Sequence, residues 1–173
     1  VIVSFLPLFI AAYNLNRLTL QLLPVAVFVL VIYSYTKRFT WACHLVLGTA
    51  LGLAPLGGWV ATTGQIDGVA LLLFATVVLW TAGFDVIYAC QDEEFDRKEG
   101  LHSIPARFGL RRALGLSRWF HVGTVMGLLL FWLLTPLGEW FFVGVLAAAA
   151  ILIYEHRIVS PDDLSRLNTA FFT

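Results

Sequence analysis

Long apolar runs follow one another through this chain with hardly a charge inside them: Leu20 to Thr36, Trp41 to Thr62, Val69 to Ala89, Trp119 to Leu134 and Trp140 to Tyr154. A helix that crosses a bilayer needs roughly 20 mainly apolar residues, because in lipid every backbone N–H and C=O must be satisfied within the segment itself. Val1 to Tyr13 reads as the tail of one more such helix, closed by a polar turn at Asn14, Asn16 and Arg17. The pattern predicts an all-α, multi-spanning transmembrane bundle with about six spans. Residues 1–173 form a single domain in this reading. A mean hydropathy of +0.85, with 60% apolar and only 13% charged residues, agrees with a lipid solvent.

Net charge is zero and the charged residues form no basic tail or stripe, so a nucleic-acid partner is not expected. Cys43 and Cys90 lie in apolar stretches without metal-ligand or disulfide spacing and are expected to be buried free thiols. Gly48, Gly52, Gly57 and Gly58 within the Trp41 to Thr62 run are expected to let a neighbouring helix approach closely, and Pro55 to bend that run. Trp119 and Trp140 fall where interfacial anchors belong.

Assigning alternate sides to the connections sorts the basic residues. Lys37, Arg38, Arg97, Lys98, Arg107, Arg111, Arg112, Arg118, Arg157 and Arg166 fall on one face and only Arg17 on the other. Cytoplasmic connections are rich in Lys and Arg, so that face is expected to be cytoplasmic. In a bacterium the membrane would be the inner, plasma membrane.

Half of the formal charges crowd into Gln91 to Arg118. At about 100° per residue, Asp85, Tyr88, Asp92 and Asp96 fall within roughly 80° of one helical face. An ionisable side chain in a span costs roughly 2.5 to 3.5 kcal/mol on insertion scales, so Asp85 should face a cavity or a partner. Asp92 and Asp96, one turn apart, suit two carboxylates sharing a divalent ion, and oxygen donors without His or Cys favour Mg²⁺. The alternative is a solvated helix end whose acids pair with Arg97, Lys98 and nearby bases. Glu93 and Glu94 point away from the stripe. His44, His102, His121 and His156 show no ligand spacing to one another and read as structural or interfacial.

The string Asp85, Tyr88, Asp92, Asp96, Gly100, Ser103, Pro105, Gly109 resembles the second aspartate-rich motif of the UbiA superfamily of intramembrane prenyltransferases, and Tyr33 to Trp41, YSYTKRFTW, resembles the segment between that family's two aspartate motifs. The alternation of spans fits the resemblance over essentially the whole chain. The family's first aspartate-rich motif, an Asn-Asp start with further spaced aspartates, occurs nowhere here. The resemblance therefore implies the central part of a nine-helix fold, cut at the N-terminus and near the C-terminus, with half of a metal site absent and the fragment alone inactive.

The resemblance also implies an activity: Mg²⁺-dependent transfer of a polyprenyl group from polyprenyl diphosphate to an aromatic carboxylic acid in quinone synthesis. Asp92 and Asp96 would hold the metal, Tyr88 would face the allylic cation, and Asp85 would orient Tyr88 or the acceptor. Lys37 would bind diphosphate and Arg38 the acceptor carboxylate. The tail Glu155 to Thr173 resembles quinone-pathway members acting on 4-hydroxybenzoate, for ubiquinone, or on a dihydroxynaphthoate, for menaquinone. Haem- and chlorophyll-type prenyltransferases are further alternatives, as is a cation transporter, although the acids cluster at one interface. A CDP-alcohol phosphotransferase is disfavoured because its Asp-Gly and Ala-Arg pattern is missing beside Asp85.

Overall fold

The structure, a computed structural model, describes residues 2–161, 163, 164 and 167; Arg166 and most of the tail from position 162 lie outside the described residues. Among the described residues eight α-helices follow in order: α1 (Ile2–Leu15), α2 (Arg17–Thr36), α3 (Cys43–Thr63), α4 (Gly68–Ala89), α5 (Glu93–Lys98), α6 (Ile104–Phe108), α7 (Leu110–Leu134) and α8 (Glu139–Ile158). A short 3₁₀ turn, Cys90–Asp92, joins α4 to α5. No strand occurs among the described residues beyond one isolated bridge, Ser160 to Asp163.

Among the described residues five helices are long and apolar enough to cross a membrane: α2, α3, α4 with its continuation to Lys98, α7 and α8. The chain is an integral membrane protein. The run read as the tail of a sixth span is α1, helical over the 14 residues Ile2–Leu15. The α7 helix begins at Leu110, well before the apolar run at Trp119, because hydropathy marks only the stretch that lipid surrounds while the backbone stays helical through Arg111, Arg112 and Arg118. The exterior of the bundle is apolar where a soluble protein would be polar, with Leu133, Met126 and Phe28 all largely exposed. Trp119, at the start of the apolar part of α7, and Trp140, at the start of α8, are both exposed, as interfacial anchors would be.

Local chemistry sets the helix ends. Asn16 caps α2 by accepting from the Thr19 N–H at 2.9 Å, and its amide donates to Val60 O at 2.7 Å, tying the α1–α2 corner to the end of α3. Asp67 caps α4 by accepting from the Ala70 N–H at 2.8 Å. The α3 helix runs through Pro55 and stops at Gly64, whose φ of 73° lets its N–H return to Val60 O.

Neighbours in sequence pack antiparallel. Gly48 and Gly52 of α3 lie against Val78 and Phe74 of α4, while Gly83, Gly123 and Gly127 on α4 and α7 meet His121, Leu79 and Thr76. A Cβ on Gly48 would collide with the Val78 carbonyl, and one on Gly127 with the Thr76 hydroxyl, so hydrogen in place of a side chain sets the helix spacing. Gly57 and Gly58, expected in the same role, have nothing within 4 Å of the position a Cβ would take. One apolar cluster, around Val86, Ile87, Cys90, Ile104, Ala113 and Leu114, closes the end of the bundle that carries the charged segment. A second, around Leu56, Val60 and Ala70, closes the other end. Both thiols are free and buried, as expected.

Candidate active site

The charged segment folds back over the α2–α3 corner. Asp96 O accepts from the Leu101 N–H at 2.8 Å and reverses the chain after α5, and Ser103 then caps α6, its hydroxyl accepting from the Ala106 N–H at 3.3 Å. The loop between them is clipped to the turn following α2. The His102 N–H donates to Lys37 O at 2.7 Å, and the Cys43 thiol donates to His102 O at 3.4 Å. Trp41 meets Phe108 edge to face with centroids 5.4 Å apart. These contacts bring two segments about sixty residues apart in sequence into one wall.

Beneath that wall lies a cavity of about 220 Å³ lined by Tyr33, Lys37, His44, Asp85, Tyr88 and Asp92 among others. Asp85 thus has both features expected of an acid in a span: it faces a cavity, and its Oδ2 lies 2.6 Å from His44 Nδ1. Tyr88, 42% exposed, lines the same space one turn further on. Asp92 joins them from the 3₁₀ turn.

Asp96 does not follow the stripe predicted for it. A 3₁₀ turn advances about 120° per residue instead of 100°, so three residues in that geometry rotate everything beyond them by about 60°. Asp96 accordingly lies off the cavity wall, without exposed surface, and its Oδ1 forms an ion pair with Lys37 Nζ at 2.8 Å. Its Oδ2 has no hydrogen-bond partner among the described residues. Lys37 thus both lines the cavity and pairs its ammonium with Asp96.

Arg38, next in sequence, turns the other way. It is exposed, and its guanidinium lies 5.8 Å from the centroid of Tyr35. Glu93 pairs with Arg97 along α5, so the surface pairing considered for the charged segment holds for that acid. Glu94 is exposed.

The donors suit a hard divalent cation in kind. Asp92 and Asp96 offer only oxygen, and Asp96 keeps one buried carboxylate oxygen without a partner. Among the described residues no three or more His, Cys, Asp or Glu converge as a metal site. Sequence reasoning missed His44, which spans from Asp85 to the Ile104 N–H, 3.2 Å from its Nε2. The available signal was two lone polar residues at matching depth in neighbouring antiparallel helices, one near the start of α3 and one near the end of α4.

A bundle of helices long and apolar enough to cross a membrane carries an acidic, lysine-bearing cavity at one end. Over residues 1–173 the chain fits the UbiA prenyltransferase family, and it belongs to that family. It is 30% identical over 163 residues to a 4-hydroxybenzoate octaprenyltransferase of Nitrosospira multiformis, covering 94% of this chain and 56% of that protein. It is 35% identical over 150 residues to one of Coxiella burnetii, covering 84% and 50% respectively. A solved structure described as the apo form of a UbiA homolog from Aeropyrum pernix K1 superposes with a TM-score of 0.85 at 34% identity, covering 95% of this chain and 62% of that one. The chain thus spans about half the length of the curated relatives it matches.

Proposed function

We propose that the protein containing this chain transfers a polyprenyl group from polyprenyl diphosphate to an aromatic hydroxy acid, 4-hydroxybenzoate or a dihydroxynaphthoate, in ubiquinone or menaquinone synthesis. The observation that carries this reading is the gathering of Asp85, Tyr88, Asp92 and Lys37 around one cavity at the end of apolar helices. The similarity to octaprenyltransferases supports it. Between α4, α7 and α8 a separate, mainly apolar groove of about 390 Å³, walled by Val77, Trp80, Leu128 and Ile151 and with Glu155 in its lining, offers a prenyl tail a place away from water.

The chemistry asks for charge of both signs. As the bond from the allylic carbon to the diphosphate oxygen breaks, the electron pair leaves with the diphosphate and a cation develops on the prenyl chain. A ring carbon beside the acceptor hydroxyl forms the new carbon–carbon bond, and the proton on that carbon is lost to restore aromaticity. Lys37 supplies a point charge for the leaving group, and the Tyr88 ring faces the cation. Asp92 and Asp96 would hold Mg²⁺, which would supply Lewis-acid neutralisation of the diphosphate.

In this reading the charged end of the bundle, which carries nearly all of the Lys and Arg, faces the cytoplasm of a bacterial plasma membrane. The test is product analysis by mass spectrometry of the full-length enzyme with one polyprenyl diphosphate and each acceptor in turn. A prenylated 4-hydroxybenzoate or dihydroxynaphthoate is expected. Absence of any prenylated aromatic acid overturns the proposal.

A further inference from the structure

His44, on the cavity wall, has two fixed partners on other elements and no task in the chemistry above. It is 2% exposed and lies in the first turn of α3. A backbone N–H only donates, so the Ile104 N–H, 3.2 Å from Nε2, requires a lone pair on that nitrogen. The ring hydrogen is thereby assigned to Nδ1, which donates to Asp85 Oδ2 at 2.6 Å. The imidazole is held at both ends, and Ile104, itself without exposed surface, anchors the far end to α6.

Asp85 then has unequal oxygens. Oδ2 is occupied by His44, and Oδ1 takes no hydrogen bond among the described residues while the side chain stays 29% exposed at the cavity. A carboxylate in a span with one oxygen held and the other open accepts a hydrogen bond from whatever hydroxyl enters. The adjoining residues narrow the choice. The cavity of about 220 Å³ has room for a small aromatic ring, and Tyr33, Tyr88 and Lys37 line it, the Lys37 ammonium being paired with Asp96.

We propose that His44 is a positioning residue that orients Asp85 to accept the hydroxyl hydrogen of an aromatic acceptor, with the Ile104 amide fixing the tautomer this needs. The proposal rests on the prenyl-transfer reading. A hydroxyl donating to a carboxylate carries more electron density on its oxygen, and that density reaches the adjacent ring carbon that attacks the prenyl cation. It also fixes which ring carbon faces the cation, because the hydroxyl is pinned to one side of the cavity.

The test uses the full-length enzyme and two isosteric replacements. In His44→Asn the side-chain amide nitrogen falls where Nδ1 was and still donates to Asp85, whereas in His44→Gln it falls nearer Nε2. The readout is the ratio of inhibition constants for two competitors of the acceptor that differ only in carrying a hydroxyl or a methoxy group. A site that binds a hydroxyl by hydrogen bond rejects the analogue lacking that hydrogen by about tenfold or more. The wild type is expected to show that preference, His44→Asn to keep most of it, and His44→Gln to lose it, with KM for the prenyl diphosphate unchanged in all three. Equal preference in wild type and His44→Gln overturns the role of His44. A wild-type enzyme that prenylates no aromatic hydroxy acid overturns instead the functional reading on which it rests.

Discussion

Lys37 Nζ lies 2.8 Å from Oδ1 of Asp96, a carboxylate with no exposed surface, although the two residues are separated by the whole of α3 and α4. Breaking a buried pair from one side leaves a charge in a medium that cannot solvate it. Lys37→Met in the full-length protein is expected to cost about 2 kcal/mol, below the figure for a fully buried pair because the lysine side chain is 35% exposed. Adding Asp96→Asn should recover most of the loss. Thermal unfolding in detergent decides it, and a double variant no more stable than Lys37→Met would show that the pair contributes nothing.

The acids of the charged segment should separate by position. Asp92→Asn and Asp96→Asn are isosteric and remove charge and metal affinity, so each is expected to lower kcat by orders of magnitude and raise the Mg²⁺ concentration needed for half-maximal rate. Glu94→Gln, on exposed surface, should leave both unchanged. A Glu94 variant as damaged as the Asp92 variant would refute the assignment of the two aspartates.

Helix spacing gives a prediction independent of catalysis. Gly48→Ala drives a methyl into the Val78 carbonyl, a backbone atom that cannot rotate away, whereas Gly57→Ala meets nothing within 4 Å. Overpacking of this kind costs about 1–3 kcal/mol. The first variant should unfold measurably earlier in a detergent melt and the second should match wild type. Equal melting of both would mean that α3 and α4 adjust freely.

The helical class and the five long spans were legible because lipid imposes length and apolarity on each helix separately. The first run, read as the tail of a span, is helical over Ile2–Leu15. Asp85, Tyr88 and Asp92 were legible as a group for a similar local reason: three residues on one helix face stay together whatever surrounds them. The displacement of Asp96 was not legible, since Cys90, Gln91 and Asp92 include neither Gly nor Pro to announce a 3₁₀ turn. The Lys37–Asp96 and His44–Asp85 pairs depend on how helices distant in sequence dock. Gly48 and Gly57 look alike in the sequence, and only the position of α4 tells them apart.

Lys37 and Arg38 are adjacent, yet the structure sends Lys37 to the cavity and Arg38 to the Tyr35 ring. The proposed mechanism gives them different tasks, a point charge for diphosphate and a fork for the acceptor carboxylate. For the second task the guanidinium has to leave Tyr35 and turn to the cavity mouth. A cation–π contact at an exposed site is worth only about 0.5–1 kcal/mol, less than a bidentate bond to a carboxylate returns. Arg38→Lys keeps the charge and loses the fork, so it is expected to raise KM for the aromatic acid about tenfold, or about 1.4 kcal/mol, with little change for the prenyl diphosphate. Lys37→Gln should do the reverse. Steady-state kinetics with each substrate varied in turn separates the cases. An Arg38→Lys enzyme with unchanged KM for the acid would mean that Arg38 stays on Tyr35 as a surface anchor and that Lys37 is the cation both substrates meet.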